Sequence, residues 1–191
     1  MSNALDSSPE AAIDACMADV RDLLARHGVT EECLRAIGER LRELACTPGL
    51  IPDDELTAMH GSDSTATVLR SEGTDAPTLV LAKFSPLSET PVHDHNTWAA
   101  ACVVSGRDRY RHWERRDDAS DDAHADVRPL YEKELGPGEI VTWLDPPHDI
   151  HSQQGIGGPV WELILFGKNA MALPRHYFDP ATGAVRVAMP Q

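Results

Sequence analysis

Thr90-Pro91-Val92-His93-Asp94-His95, followed by Asn96-Thr97 and the apolar run Trp98-Ala99-Ala100-Ala101-Cys102-Val103-Val104, decides the fold. Side chains two apart on an extended chain leave it on the same face, so His93 and His95 can reach one point while Asp94 points away or supports a neighbour. A pair of this kind is also what two hydrogen-bonded histidines at a strand start look like. A third donor on a later strand separates the two readings. Pro146-Pro147-His148-Asp149-Ile150-His151 offers His148 and His151. They are three apart, so an extended chain turns them to opposite faces and only one can join the site. The two prolines place His148 in a turn, whereas His151 opens a strand-like run. His151 is therefore the expected third ligand and His148 a rim residue.

Three imidazoles form a neutral donor set. The common non-heme iron arrangement has two histidines and one carboxylate, with positions left open for oxygen and substrate. Exchanging the carboxylate for histidine leaves the full 2+ charge on iron, which favours an anion such as a thiolate. Zinc also suits three histidines, with water in the fourth position, and nickel accepts imidazole too.

Around this centre the chain reads as short strands: Ala66–Ser71, Pro77–Phe84, Val92–His95, Thr97–Ser105, Asp108–Glu114, Arg128–Leu135, Ile140–Trp143, His151–Gln154, Pro159–Phe166 and Val185–Ala188. Ser105-Gly106, Gly136-Pro137-Gly138 and Gly155-Ile156-Gly157-Gly158 supply turns between them. Many short strands separated in this way indicate a sandwich or barrel. Before them come two amphipathic helices. Ser8-Pro9-Glu10 starts the first, with Ile13, Cys16, Val20 and Leu23 at helical spacing up to Gly28; Thr30-Glu31-Glu32 starts the second, with Leu34, Ile37, Leu41 and Leu44 on one face.

Composition sets the outer limits. The 191 residues suggest one domain, 41% are apolar, and 17 basic against 31 acidic residues give a net charge of −14. So acidic a surface repels phosphate backbones and anionic lipid, which argues against nucleic-acid and membrane partners. The run from Trp98 to Val104 is too short to cross a bilayer, and the first residues lack a signal-peptide pattern, so a cytoplasmic protein is expected. Cys16, Cys33, Cys46 and Cys102 have no metal or disulfide spacing and read as buried thiols. Asp117 to Asp126 reads as a mobile, solvated hairpin loop. Tyr110, His112 and Glu114 share one strand face and are expected at the rim or surface. Trp98, Trp143 and Trp161 are expected in the core, and His27, His60 and His124 at the surface.

The Pro91-Val92-His93-Asp94-His95 stretch, with Trp98 and Gly106 after it, resembles the cupin superfamily, and within it the thiol dioxygenases, the group of cysteine dioxygenase and 3-mercaptopropionate dioxygenase. Asp149-Ile150-His151 is similar to that group's third-ligand segment, and Phe178-Asp179 with Thr182-Gly183 to its ending. The resemblance runs from about Arg70 to Gly183. It implies a single cupin domain over 1–191, with a helical preface over 8–47 and a double-stranded β-helix barrel over 65–188.

The same resemblance implies iron(II), dioxygen, and oxidation of a small carboxylate-bearing thiol to its sulfinate. Arg70 stands where cysteine dioxygenases place a substrate-binding arginine, and Arg175 where the mercaptopropionate enzymes place theirs. A planar guanidinium holds a carboxylate through two hydrogen bonds. The chain also departs from the group. Its Ser, His, Tyr relay is replaced by Glu162, Ile164 and Phe166, and the crosslinking cysteine by Ala100. Glu162 or Tyr177 is left as a substitute polar group. A metal- or small-molecule-binding cupin without thiol oxidation, or an enzyme for a different small acid, is the alternative expectation.

Overall fold

The computed structural model describes residues 8–51 and 64–190. The two helices start where their caps predict. Ser8 Oγ accepts from the Ala11 amide ahead of α1 (Pro9–His27), and Thr30 Oγ1 accepts from the Cys33 amide ahead of α2 (Glu31–Ala45). Their apolar faces bury Ile13, Cys16, Met17 and Val20 from α1 and Leu34, Ile37, Leu41 and Leu44 from α2. No helix among the described residues is long and apolar enough to cross a membrane.

Among the described residues eleven strands follow: β1 (Thr65–Ser71), β2 (Thr78–Phe84), β3 (Val92–His93), β4 (Ala99–Ser105), β5 (Asp108–Arg115), β6 (Val127–Leu135), β7 (Ile140–Trp143), β8 (His151–Gly155), β9 (Val160–Phe166), β10 (Arg175–Phe178) and β11 (Val185–Ala188). They form two antiparallel sheets, ordered β1-β2-β9-β4-β7 and β11-β10-β3-β8-β5-β6. This is the mainly β, double-stranded β-helix architecture that the strand pattern and the resemblance predict. Gly106 makes the β4–β5 hairpin with φ +85°, and a Cβ there would lie 2.3 Å from the Pro159 carbonyl oxygen.

The three inner strands of the five-stranded sheet, β2, β9 and β4, are buried on both faces, whereas β1 at its edge is mostly exposed. One face carries Leu79, Leu81, Ala100, Cys102, Leu163 and Leu165 against the helices; the other carries Val80, Ala82, Ala99, Ala101, Ile164 and Phe166 toward the barrel interior. This explains why β9 reads as a near-continuous apolar run instead of an alternating one.

Several sequence expectations need correction. The histidine strand is only Val92–His93, and His95 lies beyond it, next to Asn96 in a left-handed conformation at φ 56°. Arg175–Phe178 is a strand, held between β3 and β11, that its sequence does not announce because Pro174 precedes it and no apolar alternation marks it. Cys46 is exposed, whereas the other three thiols are buried. Tyr110 and His112 are buried in the barrel, not at its rim. The Asp117–Asp126 segment is tied down: Arg115 grips Asp117 through both Nε and Nη2 and also donates to the Asp121 and His124 carbonyls. That charge-assisted pairing holds the Asp117 carboxyl below the usual carboxylate range. Trp98, Trp143 and Trp161 are buried as expected, and His124 is exposed. The expectation for His60 lies outside the described residues.

Candidate metal centre

Pairing across the six-stranded sheet builds the site. Residues directly opposite in antiparallel strands project to the same side. Tyr177 on β10 faces His93 on β3, His93 faces His151 on β8, His151 faces His112 on β5, and His112 faces Tyr131 on β6. One row of polar aromatic rings thus crosses five strands on the interior face. His95 joins it from the segment after β3, its ring against Phe166 at 4.6 Å and Trp143 at 6.0 Å between centroids.

His93, His95 and His151 are each buried, and each offers a ring nitrogen within 4.8 Å of the others. Two of the rings are oriented by backbone. His93 Nδ1 lies 2.8 Å from the Pro91 carbonyl and His151 Nδ1 lies 3.0 Å from the Asp149 carbonyl, so these nitrogens hold the hydrogens and leave the Nε2 lone pairs to the interior. His95 Nε2 and His151 Nε2 are 3.3 Å apart. Two ligands bound at about 2.0–2.1 Å to one ion stand about 3–3.4 Å apart, so this spacing suits a shared first-row metal. Burial pushes the His93 imidazole down to about 4, and burial with the neighbouring cations and rings drives His95 and His151 well below the usual histidine range. All three are neutral near pH 7, the form that donates to a metal.

Asp94 and Asp149 brace the centre from outside. Asp94 Oδ1 accepts from the His176 amide at 2.8 Å and Asp94 Oδ2 meets His176 Nδ1 at 2.6 Å, so this carboxylate faces away from the three rings. Asp149 Oδ2 accepts from the His95 amide at 3.0 Å, joining the first histidine segment to the third. His148 is exposed and not part of the cluster.

The histidines line a cavity of about 420 Å³ that also takes in Ile164, Phe166, Arg175 and Tyr177. The two arginines separate here. Arg175 is 9% exposed, on the same face of β10 as Tyr177, and borders the cavity; Nη2 donates to the Ala170 carbonyl at 3.3 Å, while Nε has no partner among the described residues. No carboxylate of the described residues stands within ion-pair distance of it. Arg70 does not line the cavity: it turns outward from β1 and pairs with Asp14 of α1 at 2.5 Å. The placement of Arg70 as a clamp is thereby corrected. In sequence both are arginines near a strand end, and only the side of the sheet distinguishes them.

Tyr177 stacks against His93 at 6.0 Å and is covered by the Arg186 guanidinium at 4.7 Å. Of the three relay positions, Ile164 and Phe166 line the cavity, and Glu162 is fully buried. Ala100 packs toward the helices, opposite Leu165, so a side chain there would not enter the cavity. Sequence reasoning missed Gln153 and Asp108; inside the barrel the Gln153 amide donates to both Asp108 and Glu162. The signal available was Glu162 itself, a lone acid within Trp161-Glu162-Leu163-Ile164-Leu165, which needs buried partners.

No protein-family model matches the chain, and no curated protein matches it. Solved structures do. DMSP lyase DddQ from Ruegeria pomeroyi is 14% identical over 88% of this chain and 96% of its own, with a TM-score of 0.46. A cupin superfamily protein from Desulfitobacterium hafniense is 15% identical over 61% of this chain and 87% of its own, at 0.43. Oxalate oxidase is 16% identical over 59% of this chain and 57% of its own, at 0.42. These likenesses concern the course of the chain through the barrel, and nothing about the site's chemistry follows from them. By its own two antiparallel sheets the chain is a double-stranded β-helix protein, with three convergent histidines at a cavity able to hold a metal.

Proposed function

We propose that the protein is a non-heme iron(II) enzyme that uses dioxygen to oxidise a small carboxylate-bearing thiol to its sulfinate. The observation that carries this reading is Arg175, a buried guanidinium beside the three histidines without a carboxylate of its own among the described residues. A buried charge left unpaired is costly, and a carboxylate entering from solvent relieves the cost while fixing the ligand's orientation. The neutral imidazoles add no negative charge against an incoming thiolate. In the overall reaction both atoms of one dioxygen end on the sulfur, and the thiol RSH becomes RSO₂H, so no further reductant is needed.

His93, His95 and His151 would hold the iron, whose role is to supply the one-electron chemistry by which dioxygen reacts with a thiolate. Arg175 holds the substrate carboxylate. Tyr177, two residues along the same strand face, offers a hydroxyl at the same cavity for a hydrogen bond to the bound acid. Ile164 and Phe166 keep water from the thiol end.

A second reading is favoured by one observation: apolar Ile164 and Phe166, with the inward-buried Glu162, stand where a Ser, His, Tyr relay would be. On that reading the cavity binds a metal and a small acid without oxidising a thiol. Oxygen uptake by protein loaded with iron(II) under anaerobic conditions, given a series of small thiols with and without a carboxylate, decides between them. Uptake limited to the carboxylate-bearing thiols is expected. No uptake with any of them, at one bound iron per chain, refutes the first reading in favour of the second.

A further inference from the structure

Gln153 follows His151 by two residues on β8, so the two side chains leave the strand on the same face, and both border the cavity. Its amide is held from behind. Nε2 donates to Asp108 Oδ2 at 3.1 Å and to Glu162 Oε2 at 2.9 Å, and both acids are fully buried. An amide nitrogen carries two hydrogens, and both are used here. The flipped amide would press a carbonyl oxygen against two carboxyl groups, so the acids decide which way the side chain faces. The carbonyl Oε1 takes no hydrogen bond from the described residues, and the cavity is where this side chain is open.

The pair behind the amide is also charged. Two carboxyl groups bridged by one amide nitrogen, away from water, share a proton instead of both ionising. Burial pushes Asp108 up to about 6 and Glu162 well above the usual carboxylate range. Near neutral pH the pair keeps about one negative charge, and no lysine or arginine of the described residues is within ion-pair distance of it. The interior therefore has an unpaired cation, Arg175, and an unpaired anion behind Gln153.

We propose that Gln153 is a specificity-determining residue whose carbonyl oxygen accepts a hydrogen bond from an ammonium group on the substrate, with Asp108 and Glu162 as positioning residues that orient the amide and supply the countercharge. This rests on the reading of a small carboxylate-bearing thiol and narrows it, since the ligand then carries a cationic donor as well as the carboxylate. A hydroxyl would satisfy Oε1 but not the buried charge. An ammonium satisfies both.

The test is equilibrium binding to iron(II)-loaded protein without oxygen, using cysteine and 3-mercaptopropionate, which differ only in the amine. Wild-type protein should bind cysteine at least about tenfold more tightly, the worth of one charge-assisted hydrogen bond. Gln153→Met should bring the two affinities within about twofold of each other. Glu162→Gln, which replaces a protonated acid by a group of the same shape, should keep most of the preference, and Asp108→Asn should weaken it. A general loss of packing would lower both affinities together and leave their ratio alone. Equal wild-type affinities would overturn the proposal without any variant, so the test stays falsifiable even if Gln153→Met does not fold, and the Asp108→Asn ratio then separates the pocket's contribution from ligation of the amine to iron. Equal binding of the two thiols by wild-type protein, or a preference that survives Gln153→Met, overturns the proposal; if Arg175→Gln then still weakens both thiols, the carboxylate reading stands without it. Binding of neither thiol overturns both.

Discussion

Strands β2, β9 and β4 of the five-stranded sheet are buried on both faces, yet the two faces are built on opposite rules. Toward the helices, Leu79, Leu81, Leu163 and Leu165 meet Leu34, Ile37 and Leu41, and these apolar groups need nothing from one another but volume. Across the barrel, Ile164 and Phe166 share their face with Glu162 and look onto three histidines, Arg175 and Gln153. Several polar atoms on this side have no partner among the described residues, including His95 Nδ1, Glu162 Oε1 and Arg175 Nε. Burial without partners lowers stability, so the interior gives up stability that the helix side supplies. The molecule separates a face that packs against the helices from a face that lines the cavity.

If that division holds, substitutions on the two sides should have effects of different kinds. The largest is expected at the histidines: His95→Ala and His151→Ala should each lower metal affinity by more than about 100-fold, while exposed His148→Ala retains the metal. Metal content of the purified variants measures this, and an empty site in His148→Ala with metal retained by His151→Ala would reverse the assignment. On the helix side, Leu163→Ala should cost about 2–5 kcal/mol in denaturant unfolding and leave metal stoichiometry at the wild-type value.

Asp108 sharpens the comparison through pH. Burial raises its folded-state value from 3.8 to about 6, so the folded protein holds this proton more tightly than the unfolded chain. Its contribution to stability is fully present below the unfolded value and is lost as pH rises through about 6. Compared with wild type, Asp108→Asn should gain on the order of 2 kcal/mol between acidic and neutral pH, and urea unfolding across that range should show it. A pH-independent difference would mean that the pair is not buried as a charge.

The two arginines give the smaller effects. Arg175→Gln should weaken binding of a carboxylate-bearing thiol by about tenfold or more without lowering stability, because it removes a buried, unpaired cation. Arg70→Gln breaks only a partly exposed pair with Asp14 and should change stability by less than about 0.5 kcal/mol and leave ligand binding alone. Thermal melts and binding titrations on the same samples read both, and a large binding defect in Arg70→Gln would place the clamp on the wrong strand.

Local pattern sufficed for whatever local physics controls. Helix caps, apolar spacing and Gly-rich turns placed both helices and nearly every strand, because each depends on neighbours a few residues apart. The three histidines were legible for a related reason: the two-residue spacing of His93 and His95 survives the early end of β3, and the prolines before His148 turn it out of the strand that His151 begins. The tertiary structure decided everything that depends on which strands become neighbours. Arg175–Phe178 is a strand because β3 and β11 flank it, Arg175 faces the histidine-lined cavity while Arg70 faces a helix, and His112 enters the row of rings because β5 pairs with β8. Asp108, Gln153 and Glu162 come from three strands, and of these only Glu162, alone in an apolar run, marks itself as buried in the linear chain. Only the closed barrel takes them away from water, and it is this loss of water that turns them into a group with a charge, a direction and a site to face.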